Sequence, residues 1–316
     1  MARGFLQISF AWLFGIIAGA IILGLAIFFA TKIVSTGQYQ SSAEVQKEIS
    51  VLLNPLETGF QSGQVTTLTL AAPTRINVSC DNSGGEFGRQ IIRTSQQSFG
   101  KWSTQTPGIS VQSKYLFSEG VPEGKNFYLF SKPLNFPFKV ADLIYITSDS
   151  ENYCFINTPN NISEELTNLK EPNIKALNEV DCPSNSIKVC FYPGGDSCSS
   201  ANTTVYYSLG QISKSNGEKF TFSGDALMYA AIFSDSKTYG CQIQRLMKRE
   251  AQLADIYSSK LDLIKSYGCS SGMASDLSSL KSYARSTGDS GAIINSVAGI
   301  SDKLSRENEI ADCRLW

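Results

Sequence analysis

Residues 10–30 read FAWLFGIIAGAIILGLAIFFA, with no charged or strongly polar side chain among them. As a helix rising roughly 1.5 Å per residue, the stretch is about 31 Å long, which matches the hydrocarbon thickness of a bilayer. A removable secretory leader has an apolar region of only about 7–15 residues and small residues before its cleavage point. Here the run is longer, and a cut after Ala30 would put bulky Phe28 where a small residue is needed. The stretch therefore predicts a permanent anchor held by membrane lipid, with residues 1–34 forming a short end and a single transmembrane helix. Arg3 precedes the span and Lys32 follows it, which favours a cytoplasmic amino end and places everything beyond residue 34 outside the cell membrane.

The polar remainder agrees with that orientation. All eight cysteines lie beyond the anchor, at Cys80, Cys154, Cys182, Cys190, Cys198, Cys241, Cys269 and Cys313. An even number in the portion expected to meet an oxidising compartment predicts disulfides. No CxxC pair occurs and the chain has no histidine, so the residues predict neither a zinc site nor any cofactor. Three glycosylation triplets, at Asn77, Asn161 and Asn202, also fall in this portion. The 316 residues carry 27 basic and 28 acidic side chains spread evenly. That balance leaves no electrostatic footprint for nucleic acid.

Within the span, Gly15 and Gly19 form GxxxG, and Ala20 with Gly24 continues a spacing of small residues that lets another helix approach closely. The partner this predicts is a second copy or another subunit of a surface assembly. The opening ARGF before an apolar helix resembles the leader of type IV pilins and pseudopilins, including archaeal pilin-like starts. In that family a basic residue and a glycine precede a cut before phenylalanine, which here falls between Gly4 and Phe5. The resemblance covers the first 35 residues or so. It implies that the anchor helix bundles into a filament core after processing. The chain departs from the pattern at Ser9, where pilins usually carry a glutamate, and at Ala11, the acidic place of the archaeal starts.

Beyond the membrane the sequence predicts an α+β fold. Val45, Ile49, Leu52, Leu53 and Leu56 recur at helical spacing, which predicts that a helix resumes after Gly37, so that the anchor runs into an amphipathic stalk over 35–56 with a boundary near Asn54 before Pro55. Residues 57–222 read as short strands of an antiparallel sheet. QVTTLTL and TRINVSC are separated by AAP, and KYLFS, NFYLFS, DLIYIT and NYCFIN follow between turn residues. A short helix is expected from Asn161, and a hairpin with a type I′ turn at Asn216-Gly217. In KVCFYPGGDSCSS, the turn at Pro193-Gly194-Gly195 predicts a Cys190–Cys198 disulfide.

Residues 223–316 change period. DALMYAAIF is apolar nearly all round, a buried helix with Asp225 as its cap. Ile243, Leu246, Leu253, Tyr257, Leu261 and Ile264 line the next helix, which Gly268 can end. Met273, Leu277, Leu280 and Ala284 mark a further helix, and Ile293, Val297, Ile300 and Leu304 another. Short connections predict an antiparallel bundle, which brings Cys269 near Cys313 as a second disulfide that pins Trp316 against the helices.

Candidate chemistry is sparse. GDSG around Ser290 imitates a serine-protease string but lacks a histidine base, and reads instead as a helix start capped by Asp289. Ser278 and Lys281 have SxxK spacing on a helix face expected to be wet. Arg245, Lys248 and Arg249 form a basic turn expected on an outer face. Asp149 and Glu151 do not follow calcium-loop spacing. Five aromatics in NFYLFSKPLNFPF read as core strands. Without a catalytic constellation, the expectation is a structural or interaction protein of the cell surface. An exported enzyme with a histidine-free site and a ligand-binding receptor module are the alternatives.

Overall fold

The structure, a computed structural model, describes residues 10–58, 65–83, 86–98, 100–192, 200–268 and 272–316. Its first element, α1 (Phe10–Thr58), is one unbroken helix. At roughly 1.5 Å per residue its 49 residues reach about 73 Å. The helix does not stop and resume at Gly37, which sits inside it in open space, and it continues past the expected boundary near Asn54, with Pro55 in its last turn. A single glycine costs a helix only about 1 kcal/mol. The far end of α1 is held by packing, since Val45, Gln46 and Ile49 are buried and the Gln46 side-chain amide donates to the Ile92 carbonyl.

α1 seats on a first sheet built from β1 (Val65–Asp81), β2 (Arg89–Ser98), β3 (Lys101–Trp102), β4 (Ile109–Val111), β5 (Tyr115–Phe117), β6 (Glu123–Asn135) and β7 (Lys139–Ser148). The order is β3-β2-β1-β6-β7-β5, with β4 beside β2. All pairs are antiparallel except β5–β7, which is parallel. The two-residue alternation of strands sends side chains to two separate cores. Leu68, Ile76, Ile92, Leu116, Phe127 and Ile144 face α1 with Val45 and Ile49. Tyr115, Phe117, Phe130, Leu143 and Tyr145 face the rest of the molecule.

QVTTLTL and TRINVSC, predicted as two strands, are one. β1 runs straight through Ala71-Ala72-Pro73, and the register with β6 slips between Thr69 and Thr74. The bulge absorbs Pro73, which has no N–H to give the ladder.

The second sheet corrects the antiparallel expectation. Its strands are β8 (Tyr153–Ile156), β9 (Ile174–Ala176), β10 (Ile187–Phe191), β11 (Thr203–Tyr206), β12 (Gln211–Lys214) and β13 (Lys219–Thr221), in the order β13-β12-β11-β10-β8-β9. β11, β10, β8 and β9 pair in parallel, and only the β11–β12 and β12–β13 pairs are antiparallel. Helix α2 (Asn160–Leu169), found where the sequence placed it, makes the crossover from β8 to β9. The β12–β13 hairpin does not use a type I′ turn. Gly217 has φ +92° but Asn216 does not reach positive φ. Gly217 N–H donates to the Lys214 carbonyl, and the Asn216 side chain accepts from Glu218 N–H. A type I turn closed by a glycine bulge fits this pattern.

α3 (Gly224–Ile232) wedges between the sheets with Ala226 through Ile232 all buried. Ser223, not Asp225, holds its cap position, and Asp225 stands in the first turn. α4 (Ser236–Ser266) lies against the first sheet. Then come α5 (Ala274–Ala284) and α6 (Ser290–Ile310). Asp255 of α4 pairs with Lys281 and Arg285 at the far end of α5, and Asp276 at the start of α5 pairs with Lys303 of α6. The three helices are therefore antiparallel neighbours. Gly268 follows α4 with φ +91°, and Asp289 caps α6 by accepting from Gly291 and Ala292 N–H.

Candidate functional site

The apolar part of α1 spans Trp12–Ile33 with mean hydropathy 2.7, and none of it is buried by the rest of the fold. It is long and apolar enough to cross a membrane. Large side chains such as Trp12, Phe14, Ile22 and Leu23 stand 64–67 % exposed, an apolar surface that needs lipid or other helices around it. A Cβ on Gly15, Gly19 or Gly24 would meet nothing within 4 Å. The small residues do not form one stripe. At about 100° per residue, Ala20 and Gly24 are turned about 140° from Gly15 and Gly19, so the span carries two separate small-residue faces. Gly4 and Phe5, the predicted processing point, lie outside the described residues.

Two disulfides resolve the cysteines whose pairing the sequence left open, Cys80–Cys241 and Cys154–Cys182. Cys190 and Cys313 are also disulfide-bonded, but their predicted partners, Cys198 and Cys269, lie outside the described residues. The carboxyl end is pinned as expected. Asn308 accepts from Leu315 N–H and donates to the Trp316 carbonyl, and the Trp316 ring meets both Tyr257 and Phe138 edge-on at 5.5 Å. Of the glycosylation triplets, Asn161 and Asn202 are exposed, and Asn77 is half-buried in β1 opposite Arg93.

The basic turn on α4 is corrected. Arg245 is fully buried, and its guanidinium donates to the carbonyls of Phe87, Gln112 and Lys114 and to the Gln242 side chain, while lying 4.8 Å from the Tyr115 ring. Lys248 reaches the Asn82 carbonyl. Arg245 and Lys248 grip the connections between strands of the protein's own first sheet and do not form an outer face. Ser278 is exposed and Lys281 pairs with Asp255 at 2.5 Å, so the SxxK pair stays on the wet side. Asp149 accepts from Lys125 N–H and Asn126 N–H, which is a turn contact. Among the described residues no three Asp, Glu or Cys side chains form a group that could hold a metal ion. Four of the five aromatics in NFYLFSKPLNFPF are buried.

One convergent polar cluster has no counterpart in the sequence reading. Lys132 of β6 points Nζ between Glu165 of α2, at 2.8 and 2.6 Å from its two oxygens, and Asp225 Oδ2 of α3, at 3.3 Å. The Tyr207 hydroxyl, from a short 3-10 turn after β11, donates to Asp225 Oδ1 at 2.8 Å. The Tyr229 hydroxyl donates to Glu165 Oε2 at 3.3 Å, and the Lys132 Nζ lies 5.3 Å from the Tyr229 ring centre. Burial, then Glu165 and Asp225, raise the Tyr229 phenol well above its ordinary value; burial also raises Tyr207. Both phenols stay donors near neutral pH. Beside the cluster a cleft of about 390 Å³ is lined by Tyr207, Gly210, Phe222, Asp225 and Asn295. The four elements that meet here are far apart in sequence, and no local spacing could have announced the meeting.

Three further carboxyls sit out of water. Burial, with Glu119 nearby, raises Glu151 to about 7; burial raises Glu171 to about 8 and Glu250 to about 9. Glu171 and Glu250 have no hydrogen-bond partner on either side-chain oxygen.

Comparisons of the chain with protein-family models, with curated proteins and with solved structures returned no match.

Proposed function

We propose that the chain is a membrane-anchored structural subunit or accessory of a pilin-like cell-surface assembly, with its amino end cytoplasmic and the rest of the chain outside. The observation that carries this reading is the division of labour along α1. One half is bare and apolar, and the other half is seated on a largely antiparallel sheet. A rod that is continuous from the span to the fold transmits position and force, where a jointed tether would absorb them. From Ile33 to Val45 the helix rises about 18 Å, so the folded part is carried at a fixed stand-off from the bilayer. The two small-residue faces suit a helix flanked on two sides, as in a filament core, better than a lone anchor. Disulfides support the outside placement, because such bonds persist in oxidising compartments.

Mass spectrometry of the amino-terminal peptide of membrane-extracted protein tests the reading. A chain that starts at Phe5 is the expected result. A chain that keeps Met1 or Ala2 removes the pilin-like assignment and leaves a plain tethered protein.

A further inference from the structure

The Lys132 cluster is more than an ion pair. Its parts are an amine, a carboxyl within reach of that amine, a second carboxylate on the same nitrogen, and a hydroxyl donor on the far oxygen of the first carboxyl. The side chains of Lys132, Glu165 and Asp225 are only 17 %, 21 % and 26 % exposed. They sit beside an aromatic wall in which the Phe130 ring meets Tyr229 at 5.7 Å and Tyr145 at 4.6 Å. We propose that Lys132 and Asp225 condense to an intramolecular amide, with Glu165 as the proton carrier and Tyr207 as the oxyanion donor.

The step balances without any co-reactant. Glu165 takes one proton from the Lys132 ammonium and passes it to Asp225 Oδ2, so that a neutral amine faces a neutral carboxylic acid. Nζ attacks Cγ, and the negative charge that gathers on Oδ1 is met by the Tyr207 hydroxyl. A second proton leaves Nζ through Glu165 for Oδ2. The Cγ–Oδ2 bond breaks and one water departs, and the Cγ–Nζ amide bond remains. Of the three ammonium protons, one stays on nitrogen and two leave with oxygen, and Glu165 ends as it began.

The fold supplies the driving force. A free amine and carboxylate do not condense appreciably in water, but groups fixed in attack geometry react as if at about 10⁵–10⁸ M. Nζ stands 3.3 Å from Oδ2, an oxygen on the carbon it would attack, so the two groups are already held side by side. Asp225 is favoured over Glu165 as the electrophile because Tyr207 donates to the Asp225 oxygen that the nitrogen does not touch, whereas Tyr229 donates to a Glu165 oxygen that the nitrogen also holds. The product would tie β6 to α3, a covalent link among distant elements in addition to disulfides such as Cys80–Cys241 and Cys154–Cys182.

Peptide mapping of the full-length, detergent-extracted protein after complete reduction and alkylation tests this. Trypsin leaves Lys132 uncut ahead of Pro133, so the relevant fragments are 126–139 and 220–237. The expected product is a branched peptide that joins them and is one water lighter than their sum. In Glu165→Gln, with folding verified by a melt that stays cooperative, the linear fragments should return. Lys132→Arg, which keeps the positive charge without a nucleophilic amine, should give only linear fragments. Linear fragments at full mass in the wild-type protein overturn the proposal. A branch to fragment 140–170, which contains Glu165, overturns the choice of electrophile, and a branch that persists in Glu165→Gln overturns the role of that residue.

Discussion

Cys80 of β1 and Cys241 of α4 are joined across 161 residues of sequence with their Cα atoms 6.1 Å apart, and one turn further along α4 the buried Arg245 binds the same sheet from inside. The disulfide and the guanidinium form a single clamp between the first sheet and the helical region. Replacing both cysteines by serine should lower stability by about 2–4 kcal/mol, mainly by freeing the unfolded chain. Urea unfolding of the oxidised wild type against the double variant measures the difference. A lower midpoint with a steeper slope is the expected form of the result, because the unfolded chain without the cross-link exposes more surface.

Arg245 itself should matter as much. Its fork donates to three backbone carbonyls, those of Phe87, Gln112 and Lys114. Arg245→Met fills the volume but leaves those acceptors bare in the interior, at an expected cost of about 3 kcal/mol. Arg285→Ala, which removes an exposed guanidinium 3.4 Å from Asp255, should change stability by less than about 0.5 kcal/mol. The ratio of the two effects in chemical denaturation separates a buried clamp from a surface charge.

The contrast between those two arginines marks how far the sequence was legible. QRLMKRE carries three basic residues in one turn, and nothing in its spacing says that Arg245 faces inward; that depends on carbonyls supplied by residues 87–114. Where the determinant was local, the reading held: Ala226–Ile232 is buried as its unbroken apolar run required, and Asp289 caps α6. Where partners came from afar, it failed. YCFI in β8 is buried at every position, and such a continuous run is the mark of a strand inside a parallel sheet, but on a segment this short it is easily taken for an antiparallel strand. Pro73 and Gly37 were read as breaks because they are intrinsically unfavourable in ladders and helices. A bulge against β6 and the packing of Val45 and Ile49 outweigh those local costs. The Lys132 cluster joins four elements and was invisible for the same reason.

Stability should fall as the solution becomes alkaline. Glu171 and Glu250 have folded-state pKa values raised to about 8 and about 9, above the ordinary glutamate value that applies in the unfolded chain. Between those limits the folded state binds more protons than the unfolded one, so each group's contribution is fully present below about pH 4.5 and is lost as pH rises through its folded value. Glu250→Gln mimics the protonated side chain. The difference in unfolding free energy between variant and wild type should therefore widen from pH 5 to pH 8.5, by an amount on the order of 2–4 kcal/mol. A gap that stays constant across that range shows that Glu250 does not titrate as a buried acid.

The two small-residue faces of α1 make separable demands. Gly15→Leu with Gly19→Leu fills one face, and Ala20→Leu with Gly24→Leu fills the other, about 140° away around the helix. Neither pair touches the folded part, since no atom lies within 4 Å of a Cβ at Gly15, Gly19 or Gly24, so unfolding midpoints should not move. If α1 packs between neighbours on both sides, each pair should remove one contact and shorten the oligomers seen by sedimentation in mild detergent, and the quadruple variant should leave a monomer. If only one face is used, only one pair will act. An oligomer indifferent to all four changes places self-association outside the span, because leucine side chains would hold two helix backbones too far apart for close small-residue packing.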